Sequence, residues 1–473
     1  MTIGEFAASV RAHLPYTPNG QQDKLIDALA RFCAGHSETG AVFILNGYAG
    51  TGKTSLTGAL VKALGEAGRQ AVLMAPTGRA AKVFSQHSGH VVHTIHRDIY
   101  CGPSPDLPGG FGMLRHNQLS DTVFIVDEAS MIGDGRDDPE GGASLLHDLV
   151  EFVFTPDNNR LILLGDTAQL PPVGSTVSPA MQPDTFKQMG LKVSRATLTD
   201  TMRQGRRSGI LRNATWLRRA MLADPIPPPM LITEPYDDVA VTDSNDVADT
   251  VGCCYRTDGP DQTIIVTRSN RRATAFNLAV RQLILEREEE LCKGERLLVA
   301  KNNYMWSAKI KELDFIANGD VGIVTDIRGR ENRHGLRFAD INLRLPHLDA
   351  DVECKIILDT LTDDSASLSR EALESLAMAR MADPEANRPE DSYETRLRRL
   401  RRDPYFNALQ VKYAYAVTCH KAQGAQWNNV FVDLGGIAPE ARGLDFYRWL
   451  YTAVTRASRR LFLLNPSDMT DVE

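Results

Sequence analysis

The chain has 473 residues, more than one ordinary domain holds, with 42% hydrophobic and 24% charged side chains, close to the soluble average. No apolar run is long enough to cross a bilayer, and residues 1–14 mix Glu5, Arg11 and His13 into short apolar pieces instead of a charged-then-apolar leader, so the expected location is the cytoplasm. The 7 cysteines are scattered without a C-x-x-C pair, which speaks against a disulfide framework and a Cys-based metal centre. The net charge of −7 speaks against a globally basic nucleic-acid binder and leaves room for a local basic groove.

Short apolar runs rich in β-branched residues fall at 41–46, 71–77, 122–128 and 161–166, with helical patterns between them. Such continuous strands alternating with helices predict a parallel sheet covered on both faces. After the first strand comes Gly47-Tyr48-Ala49-Gly50-Thr51-Gly52-Lys53-Thr54, a full match to G-x-x-x-x-G-K-[ST], and a helix is predicted to open at Ser55. Its glycines let backbone N–H groups wrap a phosphate chain at a helix N-terminus. Gly47, Ala49, Gly50, Thr51, Gly52, Lys53, Thr54 and Ser55 are thus candidate nucleotide contacts, Lys53 for β/γ-phosphate oxygens and Thr54 for Mg²⁺. Four histidines, His87, His90, His93 and His96, follow at a three-residue rhythm that could suggest a metal, but no Cys or acidic ligand lies between them. The Pro/Gly-rich stretch 102–112 reads as an exposed loop or hairpin.

The strand ending in Asp127-Glu128 supplies the acidic half of a hydrolytic site, with Asp127 for Mg²⁺ and Glu128 to orient and deprotonate water. A third strand runs into Gly165-Asp166-Thr167-Ala168-Gln169, where Gln169 can both donate and accept and so suits a γ-phosphate sensor. Pro171-Pro172 either presents a stiff edge to a base or shapes a turn, and residues 225–229 form a stiff connector. A second α/β set is predicted at 263–269, 413–419, 430–434 and 460–464. It is interrupted between about 292 and 404 by strand-like pieces at 295–300, 319–327 and 339–345, as in a small antiparallel barrel. A charged helical stretch then carries Arg396, Arg398, Arg399, Arg401 and Arg402, either a solvated face or a phosphate track.

These motifs, in this order, resemble the superfamily 1 helicases of the 5′→3′ branch, RecD-like and phage Dda-like. Ala75-Pro76-Thr77-Gly78-Arg79-Ala80-Ala81 and Thr94-Ile95-His96 resemble motifs Ia and Ib, and 127–130 and 165–174 resemble motifs II and III. Leu198-Thr199-Asp200-Thr201-Met202-Arg203-Gln204 is similar to motif IV, Thr418-Cys419-His420-Lys421-Ala422-Gln423-Gly424 to motif V, and Tyr451-Thr452-Ala453-Val454-Thr455-Arg456-Ala457 to motif VI. Ala317-Asn318-Gly319-Asp320 is similar to a turn of the family's barrel-like insertion.

The resemblance implies an α/β chain of two RecA-like P-loop NTPase domains, the second carrying a small SH3-like barrel insertion and a helical extension. The implied boundaries are 1–198 (with a wedge-like hairpin at about 97–118), 199–291, 292–404 and 405–473. It assigns Gln22, of the Gln21–Gln22 pair, to the adenine and Gly424 to the nucleotide. Arg203 and Arg456 go to the γ-phosphate, where they would act with Lys53, Asp127, Glu128 and Gln169. Pro76, Thr77, Thr94 and His96 form one grip on a strand, and Asn270, Thr418, His420 and Lys421 the other. Hydroxyl, amide and imidazole groups suit phosphate and sugar contacts that carry no sequence information. At the hairpin, Phe111 or Tyr100 either stacks on a junction base pair or packs its own loop.

The implied function is an ATP- and Mg²⁺-dependent translocase on single-stranded DNA that unwinds duplexes at single/double-strand junctions, working as a monomer with no membrane role. An RNA-directed superfamily 1 helicase is the alternative within the same enzyme class. An ATP-gated nucleic-acid-binding module without unwinding is the alternative outside it.

Overall fold

The computed structural model describes residues 1–34, 40–101, 113–133, 144–200, 208–307, 310, 315–346, 350–466 and 468–470. They belong to two compact units, one of Met1–Cys101, Met113–Val241 and Ala422–Glu473, and one containing Thr242–Lys421. Among the described residues no helix is long and apolar enough to cross a membrane.

The first unit opens on two helices, α1 (Ile3–Ala12) and α2 (Gly20–Ala34). Strands and helices then alternate: β1 (Ala41–Gly47), α3 (Lys53–Glu66), β2 (Ala71–Ala75), α4 (Gly78–Ser88), β3 (Val92–Thr94), α5 (Ile95–Ile99) and β4 (Val123–Val126). There follow α6 (Leu145–Phe154), β5 (Arg160–Gly165), α7 (Pro183–Gln188), β6 (Lys192–Leu198), α8 (Gly209–Ala220) and β7 (Val239–Thr242). The first six strands form one sheet in the order β3-β2-β4-β5-β1-β6, with every recorded pair parallel. β1, β4 and β5 are buried along their whole length, which is why their sequences run apolar without alternation.

Alternation reappears in the packing. Phe43, Leu45, Ile125, Ile162 and Leu164 point to one face, where Phe6, Val10, Leu25, Ile26, Leu29, Leu60 and Leu64 from α1, α2 and α3 join them in a single core. The phosphate loop sits between β1 and α3, at the C-terminal edge of this sheet, and the sheet is of the RecA-like P-loop kind. Ala422–Glu473 adds β15 (Trp427–Asp433), α14 (Leu444–Val454) and β16 (Ala457–Leu464), with β15 and β16 paired in parallel.

The second unit holds α9 (Val247–Asp258), β8 (Thr263–Thr267), α10 (Asn270–Ala279) and β14 (Ala416–Thr418), which leads into the one-turn helix α13 (Cys419–Ala422). β8 and β14 pair in parallel. Between them a closed barrel runs β10-β11-β12-β13-β9, from β9 (Arg296–Val299), β10 (Val321–Arg333), β11 (Leu336–Leu345), β12 (Ala350–Ile357) and β13 (Leu409–Tyr413). β13 lies beyond residue 404, so part of the 413–419 run closes the barrel and only β14 joins the parallel strands. The long β10–β11 hairpin turns at His334 and Gly335, at φ 53° and 77°, the paired positive values that fit a twisted two-residue turn.

The arginine run lies on α12 (Tyr393–Leu400), beside α11 (Arg370–Ala382). Arg396 donates to the carbonyls of Met381, Arg388, Pro389 and Asp391, and Arg399 to the carbonyl of Ala386 and the carboxylate of Asp391. These two side chains stitch a turn-rich connection to the helix, a role outside both readings of the run.

Tyr100 is 5% exposed and its hydroxyl donates to Asp148 at 2.5 Å, so of its two readings packing holds. The flanks of the expected hairpin pair antiparallel through Tyr100 and Leu114. Residues 102–112, with Phe111, lie outside the described residues. Each histidine of the four-histidine series has a neighbour of its own: the carbonyl of Val83 for His87, the carbonyl of Ser88 for His90, Asp98 for His93 and the Tyr100 ring for His96.

Candidate nucleotide site and strand contacts

Parallel strands deliver their C-terminal ends to one edge, where helix N-termini also gather. In the order β3-β2-β4-β5-β1 that edge presents Thr94, then Pro76-Thr77, Asp127-Glu128, Asp166–Gln169 and the phosphate loop in a row. The loop is built tightly. Gly50 and Gly52 stand at φ 74° and 82°, and a Cβ on Gly52 would lie 2.5 Å from the Tyr16 hydroxyl and 2.8 Å from Gln22 Nε2, so neither sterics nor backbone admit a side chain there. Gln22 is fully buried; its Nε2 donates to the carbonyl of Thr51 at 2.9 Å and its Oε1 accepts from Asn19 N–H at 3.0 Å. Gln21 instead binds Thr199 and Asp200. Lys53 folds over the loop, its ammonium donating to the carbonyl of Gly47.

Beside the loop, Asp127 follows the last residue of β4 and accepts the Glu128 N–H at 2.8 Å, while Glu128 takes the left-handed φ of 53°. A non-glycine residue held there stores strain of about 1–3 kcal/mol, a cost that aims its side chain. Burial raises the Asp127 carboxyl against the opposing pull of Lys53. Burial also raises Glu128; the like charge of Asp127 adds to this, and Arg456 and Lys53 oppose it. Gln169 is 6% exposed, and its Oε1 has no hydrogen-bond partner among the described residues.

The far side of the site comes from α14 and its C-terminal end. Arg456 is 4% exposed and donates to the carbonyls of Thr452 and Ala425 at 3.0 and 3.2 Å and to the Thr455 hydroxyl at 3.2 Å. One turn earlier, Thr452 Oγ1 accepts from Leu170 N–H at 2.8 Å, and Gln423 Nε2 donates to the Leu170 carbonyl at 2.8 Å. The Tyr451 hydroxyl accepts from Ala49 N–H at 3.0 Å and donates to Asp166 Oδ2 at 2.6 Å. Asn46, at the end of β1, accepts from Thr167 N–H at 3.1 Å. Sequence reasoning passed over Tyr16, Asn46, Asp166, Thr452 and Tyr451 as separate actors; their partners are distant in the chain and no spacing announces them.

Two family models match the chain, an AAA domain over residues 19–224 and a UvrD-like helicase C-terminal domain over residues 413–464. These ranges contain the loop, the carboxylates and Gln169 in the one case and Arg456 in the other. The second of these descriptions bears out the likeness to helicases read from the motifs. It is 36% identical over 156 residues to the ATP-dependent RecD2 DNA helicase of Deinococcus radiodurans, which is 32% of this chain and 18% of that protein. An uncharacterized protein, R530, of Acanthamoeba polyphaga mimivirus is 34% identical over 71 residues, 15% of this chain and 13% of that one. The chain thus spans less than a fifth of the curated relatives it matches. Among solved structures, Pif1 helicases at forked duplex DNA align at 16% identity and a TM-score of 0.47, covering 95% of this chain and 92% of theirs. A Bacteroides Pif1 with ADP-AlF3 and single-stranded DNA aligns at 15% and 0.45, with the same coverage.

The remaining motif residues fall into two groups. In the first unit, Thr94 is the register partner of Ala75, so Pro76-Thr77 and Thr94 end neighbouring strands. Thr77 and Thr94 cap α4 and α5, accepting from Ala80 and Arg97 N–H at 3.2 and 3.3 Å. Burial pushes the His96 imidazole down to about 4, so its ring is neutral near pH 7. In the second unit, Thr418 is the register partner of Thr267, which places it beside the strand end that leads to Asn270; His420 is exposed. Lys421 donates to Asn318 Oδ1, and burial, aided by Lys412, pushes its ammonium down to about 8. Gly424 packs on Ala80, where a Cβ would approach within 2.9 Å. Arg203 lies outside the described residues.

Proposed function

We propose that this chain is the motor of an ATP-dependent translocase that moves 5′→3′ along single-stranded DNA and unwinds duplexes at junctions, as a monomer in the cytoplasm. The observation that carries the reading is the convergence of Lys53, Asp127, Glu128, Gln169 and Arg456 in one unit, beside strand ends that bear Thr77 and Thr94. Lys53 would release the Gly47 carbonyl to meet β/γ-phosphate oxygens, Glu128 and Gln169 would hold the attacking water, and Arg203 and Arg456 would take up the charge that spreads in the transition state. Gln22 supports the loop and, by the family resemblance, would read the adenine.

Thr54 and Asp127 offer hard oxygen donors of the kind Mg²⁺ prefers, and the raised, buried Asp127 carboxyl is a site that a divalent cation would favour ionised. When bound, Mg²⁺ would neutralise phosphate charge. The domain division proposed is 1–198, 199–291, 292–404 and 405–473. The name of the Deinococcus relative supports DNA as the track, and 5′→3′ movement rests on the family resemblance.

Unwinding of duplexes with only a 5′ or only a 3′ single-stranded tail, in DNA and RNA, tests the reading, with Lys53→Ala as control. Activity on the 5′-tailed DNA alone is expected. Activity on the 3′-tailed form alone overturns the direction, and ATP hydrolysis indifferent to added strand overturns the motor.

A further inference from the structure

We propose that the Tyr451 hydroxyl is a positioning group that competes with a terminal phosphate oxygen for the Ala49 N–H, making α14 responsive to the third phosphate of the nucleotide. The proposal rests on the nucleotide-site reading above. A phenol offers one proton, and Tyr451 gives it to Asp166 Oδ2 at 2.6 Å while accepting Ala49 N–H at 3.0 Å. The side chain is 1% exposed, so both bonds are made away from water and neither is casually exchanged. Ala49 belongs to the loop whose N–H groups hold phosphates, and its N–H is turned toward the end of β5, the strand that also leads to Gln169. That is the hydrolytic end of the cradle.

A phosphate oxygen accepting Ala49 N–H must therefore displace the phenol, since one N–H serves one strong acceptor. Burial and Asp166 both raise the phenol well above its ordinary range, so it remains a donor. Displacement would be felt along α14, because Thr452 holds Leu170 N–H at 2.8 Å and Arg448 holds the Thr176 carbonyl at 2.7 Å on the same helix. Past the end of that helix, Arg456 spends its donors on Thr452, Ala425 and Thr455, and must exchange some of them to reach a phosphate. A shift of α14 supplies the occasion.

The test measures binding of ADP and of the non-hydrolysable triphosphate AMP-PNP, each with Mg²⁺, to the whole chain and to Tyr451→Phe, together with strand-stimulated ATP hydrolysis. Without the hydroxyl, AMP-PNP is expected to bind about fivefold tighter, the worth of one net hydrogen bond, with ADP affinity unchanged. KM for ATP and kcat should both fall, since the nucleotide is held better and the helix is no longer told of it. A merely structural tyrosine would shift ADP and AMP-PNP together, and either that result or no shift overturns the proposal. 3-Fluorotyrosine at position 451 keeps the hydroxyl and covers the case in which the phenylalanine variant does not fold. Its fluorine resonance is expected to move with AMP-PNP and not with ADP, and equal movement with both overturns the proposal. A wild-type chain that binds neither nucleotide overturns the nucleotide site itself.

Discussion

Gln169 buries an amide oxygen with no partner among the described residues, a cost of about 1–3 kcal/mol that packing alone does not explain. An acceptor left open past the end of β5, the strand next to the one that leads to Glu128, is what a water-orienting residue requires. We expect Gln169→Leu to lower kcat for ATP hydrolysis about 100-fold while leaving the thermal midpoint unchanged or higher. A midpoint several degrees lower would mean that the oxygen is satisfied after all. Lys421 makes a second claim at this scale. Its ammonium, pushed down to about 8, is charged below that pH and loses its charge above it, some two units earlier than an ordinary lysine. If it holds a strand phosphate, affinity for a labelled oligo-dT should decline as pH rises from 8 to 9.5. Lys421→Arg should stay level over that range, and equal declines in the two proteins would remove Lys421 from the strand site.

At the scale of elements, α12 shows how composition can mislead. Five arginines between 396 and 402 invite a phosphate track, yet Arg396 is committed to backbone carbonyls and Arg399 to Asp391 and the Ala386 carbonyl. We expect Arg396→Ala to lower the unfolding midpoint by several degrees, through carbonyls stripped of their donor, and exposed Arg398→Ala to leave it within a degree. Thermal melts of the two variants decide; equal melting would mean that Arg396 holds nothing together. The neighbouring barrel is consistent with this division of labour, since its hairpin turn and alternating inward residues were locally encoded. Its closure by β13 was not, because a strand of five residues beyond a helical excursion has no local signal of the sheet it will join.

For the whole molecule, the charge balance sets how strand binding should respond to salt. Among Pro76, Thr77, Thr94, His96, Asn270, Thr418, His420 and Lys421, Lys421 alone is a lysine or arginine, and the chain carries −7 overall. Each neutralised phosphate of a single strand contributes about −0.7 to the slope of log affinity against log salt. A slope between about −0.7 and −2 is expected from titrations at several salt concentrations. One steeper than about −3 would show that further basic side chains form the groove.

What the sequence determined by itself was the set of motifs whose parts are neighbours in the chain. The loop from Gly47 to Thr54 and the pair Asp127-Glu128 are each legible from spacing, and so is the strand end at Thr77, whereas Thr94 was reached only through the family resemblance. They converge because parallel strands carry their C-terminal ends to a common edge. Tertiary structure decided which partners those residues keep. Tyr451 meets Asp166 across 285 residues, Arg456 turns its donors onto its own helix end, and Tyr100 packs inward on Asp148. A hydrogen bond is specified by position and direction within a few tenths of an ångström, and only the packed sheet and helices supply that precision.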